Sequence, residues 1–155
     1  MRVVVRESHE GQGIPGYMKT LDVLLVEDNA GDALLTSQTL AQCTVPVKLH
    51  IARDGEQALL MLTDPDFQPA LIILDLNIPR VSGSAFLERR PRKDIPVVVF
   101  SSSWNESEIE HVLVQGAREF VQKPTELDAF AEAVCGIIEK WAGPHDNGQA
   151  STAGR

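Results

Sequence analysis

Four short apolar runs, each ended by an acid, a hydroxyl or a lysine, limit the folds open to this chain more than any other feature. Val23-Leu24-Leu25-Val26 runs into Glu27 and Asp28, and Ala70-Leu71-Ile72-Ile73-Leu74 into Asp75. Val97-Val98-Val99-Phe100 ends at Ser101, and Phe120-Val121-Gln122 at Lys123. Continuous aliphatic and β-branched runs of this length read as parallel strands buried on both faces. In an open parallel α/β sheet, functional groups gather outside the carboxyl ends of the strands. Acids, a hydroxyl and an ammonium are therefore expected on one edge, a set able to hold a divalent metal, present a carboxylate nucleophile and bind a phosphoryl group.

Between these runs the spacing turns helical. The first strand covers about Leu21 to Val26, and a first helix follows an Asn29-x-x-Asp32 cap with Ala30, Ala33, Leu34 and Ala41 on one face. Val47 to Ala52 reads as a second strand. Asp54 caps a second helix that buries Ala58, Met61 and Leu62. The third strand ends at Asp75, and a short helix from about Gly83 to Arg89 is stopped by Pro91. Ile95 to Phe100 is the fourth strand. A capping box at Ser103-Trp104-Asn105-Glu106 opens a fourth helix with Ile109, Val112, Leu113 and Gly116 on one face. Glu119 to Gln122 is the fifth strand. A last helix begins at Thr125-x-x-Asp128 and keeps Leu127, Phe130, Ala131, Val134, Ile138 and Trp141 at helical spacing. Five βα units imply a doubly wound sheet with helices on both faces and right-handed crossovers.

Composition bounds the function. The 155 residues have room for one domain, and 43% hydrophobic with 23% charged residues is ordinary for a globular one. A net charge of −8 disfavours broad nucleic-acid binding. No apolar run approaches the roughly 20 residues a membrane helix needs, and Arg6, Glu7 and His9 interrupt any signal-peptide core. Cys43 and Cys135 are too few for a disulfide framework and read as buried free thiols in helices, which fits a reduced cytoplasmic protein. Residues 1–20, with Gly11, Gly13, Pro15 and Gly16, read as a flexible arm, within which Val3-Val4-Val5 is a short strand with no evident partner. Met18 would make a natural start just before the first strand. Residues 143–155 read as a disordered tail.

The chemistry follows from the strand ends. A single acid at Glu27 or Asp28 could be a mere helix cap, but two of them facing Asp75 would repel it unless a cation intervenes. Mg²⁺ suits a few carboxylates plus waters, and Mn²⁺ suits the same ligands. Asp75 has no helix to cap, since Leu76-Asn77-Ile78-Pro79 follows, and strands disfavour Asp. A carboxylate there can accept a phosphoryl group as an aspartyl phosphate. Lys123 can pair with the phosphoryl oxygens as a mobile point charge, and Ser101 can donate to them. Lys123 is otherwise a surface lysine, and Ser101 with Ser102 the start of a loop.

These motifs, in this order, resemble the receiver domain of two-component response regulators. The resemblance rests on Val26-Glu27-Asp28-Asn29; on Leu74-Asp75-Leu76-Asn77-Ile78-Pro79 with Gly83 at the family spacing; on Pro96-Val97-Val98-Val99-Phe100-Ser101; and on Gly116-Ala117-Arg118-Glu119-Phe120 leading to Lys123-Pro124. It spans about Leu21 to Trp141, which makes residues 21–142 the receiver. It implies a flavodoxin-like (βα)5 fold with a five-stranded parallel sheet in the order 2-1-3-4-5. It makes Asp75 the phosphoacceptor, with Mg²⁺ held by Glu27, Asp28, Asp75 and the Asn77 carbonyl. Ser101 becomes the switch hydroxyl, Phe120 the switch aromatic and Lys123 the phosphate-binding lysine, with a cis Lys123-Pro124 bond.

The implied function is a stand-alone switch phosphorylated by a sensor histidine kinase, not an enzyme beyond its own phosphorylation and dephosphorylation. Its output surface is the fourth helix, fifth strand and fifth helix, through which a homodimer or a downstream protein docks; neither DNA nor membrane is a partner. Glu27-Asp28-Asn29-Ala30-Gly31-Asp32 and Lys123-Pro124-Thr125-Glu126-Leu127-Asp128 resemble single-domain regulators paired with bacterial phytochrome kinases. Ser101 stands where Thr is commoner and Phe120 where Tyr is commoner. Arg89-Arg90-Pro91-Arg92-Lys93 reads as a solvated loop or a docking patch for an acidic partner, and Trp104 as a lid or an exposed aromatic. Two rivals stand beside this reading. One is a receiver-like scaffold insensitive to phosphate. The other is a haloacid-dehalogenase-type phosphohydrolase, which wants a second acid where this chain has Asn77.

Overall fold

The computed structural model describes residues 2–4, 19–102 and 105–142. Six strands form one sheet: β1 (Arg2–Val4), β2 (Leu21–Val26), β3 (Val47–Ala52), β4 (Leu71–Leu74), β5 (Val97–Ser101) and β6 (Glu119–Gln122), in the order β1-β3-β2-β4-β5-β6. Its five parallel strands, β2 to β6, keep the expected 2-1-3-4-5 order. The additional strand, β1, corrects the expectation that the apolar run near the start lacks a partner. Arg2–Val4 has a partner after all, pairing antiparallel with the outer edge of β3.

The continuous apolar runs are explained by burial on both sides. Val23 and Leu25 join one apolar cluster while Leu24 and Val26 join the other. The first cluster packs under α1 (Ala30–Leu40) and α5 (Leu127–Ile137). The second packs under α2 (Gly55–Met61), α3 (Gly83–Arg89) and α4 (Glu106–Val114). Asn29, Asp54, Ser82 and Asn105 cap the first four helices through side-chain oxygens. A wider π-type turn, Ile138–Ala142, extends α5. No helix among the described residues is long and apolar enough to cross a membrane.

Several local expectations change. The inward face of α1 is Ala33, Thr36, Thr39 and Leu40, whereas Leu34 is 58% exposed and Ala30 and Ala41 lie outside. Thr36 is buried at little cost because its hydroxyl donates to the Asp32 carbonyl. Asn105, not Ser103, caps α4, and only Val112 of that helix is buried. Glu126, not Thr125, occupies the start of α5, without a side-chain cap, and Leu127 is exposed. Ser103, Trp104 and residues 143–155 lie outside the described residues, as does the arm apart from Arg2–Val4, Lys19 and Thr20.

The cysteines are not free thiols. Cys43 and Cys135 form a disulfide with Cα atoms 5.7 Å apart. Helix α1 ends before Cys43, which sits in the following turn against α5, where α1 and α5 pack side by side. The basic stretch after α3 stays largely at the surface, as a solvated loop would, with Arg90 the exception. Arg90 is buried and donates to the Leu87 carbonyl, Lys93 donates to Leu87 and Glu88 carbonyls, and Arg92 donates to Phe67 and Gln68.

Candidate functional site

The strand registers bring the functional residues to one rim. Val26 pairs with Leu74 and Ser101 with Gln122, so Glu27 meets Asp75, and Ser101 lies beside Lys123. The ladder runs one residue further at each strand end. Glu27 N–H donates to Ala52 (2.9 Å), Asp75 N–H to Val26 (3.0 Å) and Lys123 N–H to Ser101 (2.9 Å), which fixes three site residues by their backbones. Beyond Asp75 the chain folds back tightly enough that a Cβ on Gly83 would stand 2.7 Å from the Leu76 Cα. Only glycine fits there, and the loop carrying Asn77 depends on it.

Asp75 is nearly buried, and both carboxylate oxygens are held. Oδ1 accepts from the Ser101 hydroxyl and the Asn77 N–H, each at 3.0 Å, and Oδ2 from Lys123 Nζ at 2.9 Å. The same ammonium donates to Glu27 Oε1 at 2.6 Å and Asp32 Oδ2 at 2.8 Å. Burial alone would push the Lys123 ammonium down, but hydrogen bonds to Asp32, Glu27 and Asp75 outweigh it and hold it above the ordinary lysine value. Burial acts the other way on Glu27, raising its carboxyl from 4.5 to about 7 despite the bond from Lys123. A carboxylate with defined lone pairs, beside a hydroxyl, a main-chain amide and a permanent cation, is equipped to attack an electrophilic phosphorus and to hold the oxygens that come with it.

Asp75, Ser101, Lys123 and Glu27 thus meet. Asp28 lies at the same rim but is exposed, and Phe120 is half-buried against the cluster under α4. The Lys123–Pro124 bond is trans, the ordinary state of an X–Pro bond, so the expected cis bond is corrected. Among the described residues no three His, Cys, Asp or Glu side chains are arranged around a metal position. The donor set still suits a hard cation: Glu27, Asp32 and Asp75 share a single ammonium and the exposed Asp28 adjoins Glu27 in the chain, which leaves the rim with more carboxylates than cations.

Asp32 is the residue sequence reasoning missed. It reads as the second half of a helix cap, and its backbone N–H is indeed capped by Asn29 Oδ1 at 2.9 Å. Its side chain is left over from that role and turns to Lys123. An acid in a first turn whose cap is already supplied by Asn29 was the available signal. A cleft of about 300 Å³, lined by Asp32, Leu35, Ser102, Lys123, Leu127 and Phe130 among others, opens beside the pair.

The sequence and fold are matched by relatives. A model of the response regulator receiver domain matches residues 23–135. Response regulator Rcp1 of Synechocystis sp. is 33% identical over 128 residues, covering 77% of this chain and 87% of Rcp1. A crystal structure of the phosphorylated cyanobacterial phytochrome response regulator RcpA superposes with a TM-score of 0.76 at 34% identity, over 83% of this chain and 98% of RcpA. The Mn²⁺-bound form of Rcp1 gives 0.74 at 31% identity, over 81% of this chain and 97% of that one. The matched stretch runs from β2 into α5 and so includes every strand that ends at the rim. This chain belongs to the response regulator receiver domain family.

Proposed function

We propose that Asp75 accepts one phosphoryl group from a sensor histidine kinase, in a reaction that needs a divalent metal, and that the change at the rim alters the surface of α4, β6 and α5. The observation that carries this is the nearly buried Asp75 carboxylate, gripped on Oδ1 by Ser101 and the Asn77 amide and on Oδ2 by Lys123. Asp75 supplies the attacking oxygen. Lys123 and the Ser101 hydroxyl are placed to donate to phosphoryl oxygens, and the surrounding apolar strands exclude water from the far side. Glu27, Asp28, Asp75 and the Asn77 carbonyl would hold Mg²⁺, or Mn²⁺ as in the Rcp1 relative. The ion would screen the charge between carboxylate and incoming phosphate.

The receiver unit is residues 21–142; the disulfide removes the free-thiol argument for a reduced compartment, so a cytoplasmic site rests on phosphotransfer from a histidine kinase alone. Kinship with RcpA and Rcp1 supports a kinase of the bacterial phytochrome class. Ser101 drawn toward a phosphoryl group would vacate room for the Phe120 ring, which already packs beside α4. Leu113 and Val114, exposed on α4, give that surface apolar contacts for a second copy or a downstream protein, and its role is protein docking rather than DNA binding.

Incubation with acetyl phosphate, read by intact mass and Phos-tag gels, tests the reading. One phosphoryl group is expected in Mg²⁺, none in EDTA and none on Asp75→Asn. Labelling that survives in Asp75→Asn would place the acceptor elsewhere. An unlabelled wild type would make the protein a phosphate-insensitive scaffold.

A further inference from the structure

An ammonium has three donors. Lys123 spends all three on carboxylates, at Glu27 Oε1, Asp32 Oδ2 and Asp75 Oδ2. It can take up a phosphoryl oxygen only by releasing one of them. Two of the three have another part in the proposed chemistry, since Asp75 becomes an acyl phosphate and Glu27 would hold the metal. Asp32 has none. Its helix-capping need is met by Asn29, and its side chain is 36% exposed, so water can solvate it once Lys123 turns away. Until then it holds the ammonium toward α1 and adds a negative charge near the path of an incoming dianion.

We propose that Asp32 is a positioning residue that competes with the phosphoryl group for Lys123 and thereby restrains phosphorylation of Asp75. The inference rests on Asp75 being the acceptor. With acetyl phosphate as donor, an Asp75 Oδ–P bond forms, the P–O bond to acetate breaks, and acetate leaves with the bonding pair. Lys123 exchanges the Asp32 carboxylate for a phosphoryl oxygen as this happens, with no net transfer of a proton.

The test is the initial rate of labelling against acetyl phosphate concentration, at fixed excess Mg²⁺. It compares wild type, Asp32→Asn, Lys123→Gln and the double variant. Asp32→Asn removes a partly exposed ion pair, so labelling at low acetyl phosphate should rise about fivefold. The gain should appear in the half-saturating concentration rather than in the plateau rate. It should be absent when Lys123→Gln is already present, because Asp32 acts through that ammonium. A purely structural role would instead lower the melting temperature and slow labelling. An unchanged or slower Asp32→Asn, or a gain that persists without Lys123, overturns the inference. Failure of wild type to label overturns the acceptor reading itself, so the two failures are distinct.

Discussion

The two faces of the sheet are held by different means. Under α1 and α5, Ala33, Leu40, Phe130, Val134, Ile137 and Ile138 are all buried, Phe100 and Phe130 meet edge to face at 5.2 Å, and the Cys43–Cys135 disulfide ties α5 to the turn after α1. On the other face α3 contributes two fully buried residues, Phe86 and Leu87, but α4 contributes only Val112, and its Val114 is 85% exposed. Elements with few buried apolar contacts open at lower free energy. The rim spans both faces: Lys123 is tied to α1 through Asp32, and Ser101 and Phe120 lie toward α4. A rearrangement at the rim therefore meets the least resistance on the α4 side.

Truncation in the two cores should expose this difference most strongly. Phe130→Ala should cost about 3–5 kcal/mol and Val112→Ala on the order of 2. Urea unfolding measures both, and equal losses would break the contrast. Reduction of the disulfide should come next. Residues 92 apart in sequence are joined, so opening the bridge should remove about 2–4 kcal/mol, seen as a lower melting temperature in reductant and in the double Cys43→Ser, Cys135→Ser variant. If melting is unmoved, packing alone holds α1 to α5.

What could be read from the sequence follows the same divide between patterns and pairings. The parallel strands were legible because burial on both faces forces unbroken apolar runs, and the rim followed because strand ends are where such sheets place polar groups. Pairings across the fold were not. Cys43 and Cys135 meet only because α1 stops at Leu40 and α5 lies beside it, which no local spacing records. Leu34 looked like a core residue, yet Thr36 took the place by satisfying its own hydroxyl. Arg92 and Lys93 read as part of a solvated loop or a docking patch, and what no local pattern records is that they donate to Phe67, Gln68, Leu87 and Glu88 oxygens while remaining at the surface. Asp32 was hidden by a motif it also fulfils.

The smallest expected effect separates the rim from both cores. Glu27 holds its proton to about pH 7 when folded, because burial disfavours its charge, and only to 4.5 as an ordinary carboxyl. The folded state therefore binds the proton more tightly than the unfolded chain. Its contribution favours folding most fully below about pH 4.5, declines as the pH rises and is gone above about 7, where the buried carboxylate must ionise. Wild-type stability should carry a downward component between those limits, a few degrees in melting temperature. Glu27→Gln, which has nothing to ionise, should lack it. Because this component belongs to the rim and to neither apolar cluster, Phe130→Ala and Val112→Ala should lower the melting curve while keeping its wild-type slope with pH. A slope that disappears in Phe130→Ala would mean that the rim geometry depends on the α1–α5 face, and a slope that survives in Glu27→Gln would assign the titration to another group.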